Sequence, residues 1–169
     1  MKHIFRISVV CFGLLAYVQP SQAHVGLVEP IALAGNYYKA SLRVGHGCAG
    51  SATNGLIVQV PAGFQGAKPQ PKTGWTIATR KTVTNEVVEL RWTAASKETV
   101  LPDDQFDEFA FMGRLPDQAG PLWVKVLQTC ENGQNDWSEI PATGTATRGL
   151  KLPAALLDVQ AAPKHEHHH

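Results

Sequence analysis

Apolar and polar positions alternate with a period of two over most of the chain. The runs YYKASLRV (37–44), GLIVQVP (55–61), GWTIATR (74–80), EVVELRWTA (86–94), EFAFMGRL (108–115) and LWVKVLQTC (122–130) either alternate or are rich in β-branched and aromatic residues. That is the signature of strands with one face on a core. Turn formers separate them in GHGCAGSATNG, PAGFQGAKPQPKTG, LPDDQ, LPDQAGP and ENGQND. Prolines fall at the ends of the runs, at Pro61, Pro69, Pro71, Pro102, Pro116 and Pro121, where a missing amide hydrogen harms a sheet least. No helical pattern of about 10–15 residues lies between the runs. The spacing predicts an all-β fold, an antiparallel β-sandwich of immunoglobulin or cupredoxin type. After WSEIP (137–141) the chain becomes rich in Ala, Thr and Gly, and LPAALLDVQAAPK (152–164) reads as a short helix or extended tail. The domain is therefore expected over 24–145, with a tail over 146–169.

The first segment has a different pattern. Lys2 and Arg6, with no acid, precede an apolar run over 7–18, Gln19-Pro20 breaks it, and Ser21 and Ala23 supply small residues where a signal peptidase reads. This is the three-part design of a secretory signal over 1–23. The apolar run is too short for the roughly 20 residues of a permanent bilayer span. The mature chain is accordingly expected to carry no membrane span and to work in the periplasm or otherwise outside the cytoplasm; the alternative is an uncleaved anchor.

Cleavage changes the accounting. The whole chain carries a formal charge of +1. Loss of Lys2 and Arg6 leaves 13 basic and 14 acidic residues, a charge of −1 on 146 residues. A near-neutral surface argues against nucleic acid or an anionic membrane as partner, since both need a basic field. The length suits one domain with one core. Cys11 leaves with the signal, so Cys48 and Cys130 remain. An even count in an exported chain reads as a disulfide, which over a loop of about 80 residues contributes on the order of 4–5 kcal/mol. The alternative is a thiolate copper site made with the nearby His46.

Candidate chemistry begins at the cleavage point, in SQAHVGLVEP (21–30). Cleavage after Ala23 frees the α-amine of His24. That amine and the ring Nδ1 of the same residue can grip one metal ion in a six-membered chelate. An α-amine titrates near pH 8, so a metal displaces its proton at neutral pH. The carboxylate of Glu29 completes the set if the first strand bends back or a neighbour positions it. Nitrogen and oxygen donors in a tetragonal arrangement favour Cu(II). The mature chain has one methionine, Met112, too few for a thioether Cu(I) site. His46 in GHGCAGS reads as a loop histidine beside the disulfide or, more sharply, as an extra metal ligand. Asp103, Asp104, Asp107 and Glu108 lack the spacing and glycine of an EF-hand loop and read as a solvated acidic turn. The HEHHH end (165–169) binds metal by composition, whether native or an added tag.

The ordered motifs AHVGLVEP, AGNYYKASLRVGHGCAGSATNGLIVQVPAGF, PKTGWTI, LPDDQFDEFAFMGRLPD and LWVKVLQTCENGQNDWSEIP resemble the YcnI-like family of exported copper-binding domains. The resemblance runs from His24 to about Pro141. It implies a β-sandwich whose N-terminal histidine binds Cu(II) by amine and ring, a carboxylate at Glu29, and a tryptophan close to the metal at Trp137. From residue type alone, Trp137 reads as a core or loop-packing residue. Trp75, Trp92 and Trp123 lie in strand-like runs and read as core or sheet-face residues. The expected role is a copper carrier, reservoir or homeostasis factor, not an enzyme, with copper and other extracytoplasmic copper chaperones or transporters as partners. Two other classes stay open. One is a copper-dependent oxidative enzyme, which needs a second histidine that only His46 could supply. The other is a structural or adhesion module in which His24 is incidental.

Overall fold

The computed structural model describes residues 24–163. The signal segment and the HEHHH end lie outside them. Eleven strands follow one another: β1 Gly26–Leu27, β2 Ile31–Leu33, β3 Tyr37–Val44, β4 Thr53–Gln59, β5 Gln65–Pro69, β6 Trp75–Lys81, β7 Val87–Ala94, β8 Asp107–Arg114, β9 Gly120–Cys130, β10 Gln134–Trp137 and β11 Ala155–Gln160. A single 3-10 turn, Lys97–Thr99, interrupts them. The period-two pattern thus becomes strands wherever it was strong.

Two sheets face each other. The smaller has the order β1-β3-β8-β5, and the larger has the order β2-β11-β9-β4-β7-β6 with β10 also paired to β9. All pairings are antiparallel except β11 with β2. The inward positions of β3 (Tyr38, Ala40, Leu42, Val44), β4 (Leu56, Val58), β7 (Leu90, Trp92) and β9 (Val124, Val126) fill the space between the sheets. Trp92 is fully buried and its indole Nε1 donates to Gln70 O at 3.3 Å. Trp92 and the half-buried Trp75 both meet Phe109 edge-on, with centroids 6.0 and 4.8 Å away. These are the packed aromatic pairs that stabilise beyond area burial alone.

The C-terminal part departs from expectation. The stretch expected as a short helix or tail instead supplies a strand. Ala155–Gln160 pairs antiparallel with the first half of β9 and parallel with β2, burying Ala155, Leu157 and Val159. Apolar residues at 155, 157 and 159 carry a period of two, and the Pro-Ala-Ala before them hid it. The sandwich therefore extends to Gln160, beyond the boundary expected at 145. The turn-former stretches also yield two short strands, β5 and β10.

The Cys48–Cys130 disulfide is present, with Cα atoms 5.9 Å apart. It ties the loop after β3 to the end of β9, crossing from the smaller sheet to the larger.

Candidate metal centre

His24 precedes β1, whose register pairs Gly26 with Arg43 and Leu27 with Leu42. Carried two residues back, that register sets His24 beside Gly45, next to His46. Both histidines therefore lie at one end of the sandwich, the end closed by the disulfide. Trp137 reaches the same end from the other sheet, because β10 pairs Trp137 with Val126 and turns it inward. The indole is 3% exposed. His24 meets it edge-on at 5.8 Å between centroids, and His46 meets it edge-on at 6.1 Å. Both imidazoles are half-buried.

The loop that carries His46 is tightly held. Cys48 and Ser51 exchange two main-chain hydrogen bonds of 3.0 Å across a two-residue turn. Its central residues, Ala49 and Gly50, have φ of 49° and 87°, the primed turn geometry that suits a right-twisted hairpin. Gly47 lies so close to the carbonyl of Ser51 that a Cβ would sit 1.8 Å from its oxygen, so only glycine fits. Its amide donates to Asp103 Oδ1 at 2.9 Å. The ring of His46 is fixed as well: Nδ1 stands 2.5 Å from Gly47 O. A carbonyl only accepts, so Nδ1 carries the proton and the neutral ring presents its lone pair at Nε2.

Gln128 joins these parts, and its role was not assigned from the sequence. Its side chain is fully buried in β9. Nε2 donates to His46 O and to Thr53 Oγ1, both at 2.7 Å, while Oε1 accepts from Trp137 Nε1 at 2.9 Å. One amide thus fixes the main chain of His46 and the orientation of Trp137. The usable signal was a glutamine on the inward parity of an otherwise apolar strand, in series with Val124 and Val126.

Glu29 has a different setting. Val28 N still donates to Ser41 O at 2.9 Å, and the chain bends at Val28 and Glu29 on its way to β2. The side chain of Glu29 is exposed, and its carbonyl accepts from Tyr38 OH at 2.5 Å. Burial first, and the Glu29 carboxylate second, push the Tyr38 phenol up to about 12. Among the described residues, no three His, Cys, Asp or Glu side chains converge as a metal site. A centre here needs a donor such as the freed amine of His24.

The acidic turn has partners of its own. Asp103 holds Gly47, Asp107 pairs with Lys72 at 2.5 Å, and Glu108 accepts from Ser41 Oγ at 2.8 Å. These carboxylates brace loops rather than converging on a cation.

The fold is similar to that of an uncharacterized protein from Nocardia farcinica whose crystal structure reveals an immunoglobulin-like fold. The TM-score is 0.70 at 25% identity, over 80% of this chain and 97% of that one. No curated protein matches the chain. Residues 24–159, which span β1 through most of β11, match the family described as a domain of unknown function, DUF1775. The chain belongs to that family, the YcnI-like domain.

Proposed function

We propose that this protein is an extracytoplasmic Cu(II)-binding protein, a carrier or reservoir with the ion as its cargo; peroxide consumption with oxidised sugar products by the copper-loaded protein would favour the oxidative enzyme instead, whose second histidine His46 could supply. His24 supplies the ring Nδ1 and, once it is the first residue, the α-amine. The observation that carries the reading is the edge-on approach of His24 to the buried Trp137, 5.8 Å between centroids. The first histidine of the processed chain stands on a rigid aromatic wall, not at the end of a loose arm. Trp137 shields one side of the ion from water and offers it an electron-rich ring. The sandwich alone would serve equally as a structural module; this pairing favours the metal reading. The disulfide suits an oxidising compartment, and no helix among the described residues is long and apolar enough to cross a membrane. Handing copper to another chaperone or to a transporter fits an open-ended site of this kind.

Glu29 enters the ligand set from the family resemblance. With Glu29 as a carboxylate ligand, Glu29→Gln should lower Cu(II) affinity by about tenfold or more. Unchanged affinity would take Glu29 out of the ligand set.

The reading is tested by titrating Cu(II) into two proteins, one beginning at His24 and one carrying an extra residue before it. With the amine tied up in a peptide bond, affinity should fall by about 100-fold or more, as expected when one of a small number of nitrogen donors is lost. Equal affinity would refute the proposal.

A further inference from the structure

We infer that His46 is a second imidazole ligand of the same ion, through Nε2. The inference rests on the copper reading above and deepens it. A centre anchored on His24 alone holds two nitrogen donors; with His46 it holds three on one rigid end of the sandwich.

Four observations carry it. Both imidazoles stand edge-on to one indole, at 5.8 and 6.1 Å, and the β1–β3 register sets their main chains side by side. The Nδ1 of His46 is spent on Gly47 O, which leaves Nε2 as the free lone pair. A carbonyl hydrogen bond from the far ring nitrogen is how metal-bound histidines are commonly oriented. The main chain of His46 is itself fixed by Gln128 Nε2 at 2.7 Å, and the next two residues are fixed by Asp103 and by the disulfide. Together these restraints hold a half-buried loop histidine in one place, which is what a ligand held ready before the metal arrives needs. Three nitrogens in a tetragonal arrangement keep the preference for Cu(II).

The test uses Cu(II) alone on the chain beginning at His24, with His165→Ser, His167→Ser, His168→Ser and His169→Ser to silence the end of the chain. Pulsed electron paramagnetic resonance counts the imidazoles through their remote ring nitrogens. The wild-type site should show two, and His46→Gln should show one, with affinity lowered at least about tenfold, the scale already seen when only a supporting partner of a metal ligand is lost. A single imidazole in the otherwise unaltered site would overturn the inference even if His46→Gln failed to fold. Retained affinity and spectrum in His46→Gln would overturn it too, and both results would leave His24 as the anchor. Absence of Cu(II) binding by the protein beginning at His24 would instead overturn the copper reading together with this one.

Discussion

Gln128 decides much about the site at the scale of single residues. Each of its amide hydrogens and its oxygen has a partner: His46 O, Thr53 Oγ1 and Trp137 Nε1. Gln128→Leu keeps the volume but strands the indole N–H of Trp137 and the carbonyl of His46 in a buried place. Each buried group left unpaired costs about 1–3 kcal/mol, so the variant should lose about 2–6 kcal/mol in a denaturant titration. A loss below 1 kcal/mol would mean that water replaces the amide. Tyr38 gives a second prediction. Its phenol titrates at 10.0 unperturbed and at about 12 in the fold. Between those values the unfolded chain has released the proton that the folded chain keeps, so unfolding gains free energy as pH rises. Stability should therefore decline from about pH 10 to about 12 and then level off. Tyr38→Phe should remove that decline, which chemical denaturation across the alkaline range would reveal.

At the scale of elements, β11 carries the clearest consequence. It sits between β2 and β9 in the larger sheet and buries Leu157 and Val159 at 1% exposure each. Fully burying two such side chains contributes about 1.5–3 kcal/mol apiece, before the ladder bonds on both sides are counted. A chain ended after residue 145 should therefore lose about 5 kcal/mol or more, comparable to the whole stability of a small domain, and should show an unfolded circular dichroism spectrum. A chain ended after Gln160 should melt within a few degrees of the full chain. Cooperative melting of the shorter chain would show that β11 is dispensable. The long strand β9 is the organising element: β11 borders its first half and β10 its second, with β4 opposite β10. Through β10 it delivers Trp137 to the end where β1 delivers His24.

For the molecule as a whole, the disulfide, the tight loop at 45–51 and β10 close one end of the sandwich around a half-buried pair of imidazoles. Hydrogen bonds from Asp103 and Gln128 and the disulfide hold that end together, and under the proposed copper role the ion would meet donors already in place. Electrostatics across the surface contributes little, since the 15 basic and 14 acidic residues of the chain nearly balance. That neutrality suits a protein whose cargo is one ion held by coordination, and suits poorly one that grips a polyanion. Whether the amine of His24 exists is a whole-molecule property too, because it depends on whether the chain is cut before that residue. The paired titrations of the processed and extended chains read that dependence directly.

The sequence by itself determined the strands whose alternation is strong, β3, β4, β6, β7, β8 and β9, and the disulfide pair. Those features are local or follow from composition: side chains alternate across a strand, and an even number of exported cysteines pair. It did not reveal β11, where proline and alanines masked the alternation, nor β10, four residues taken for a turn. Only the tertiary structure brought His24, His46 and Trp137 to one end. Their meeting depends on register and on which strands neighbour which across two sheets. A slip of one residue in β10 would turn Trp137 outward, and no local pattern in the chain records that choice.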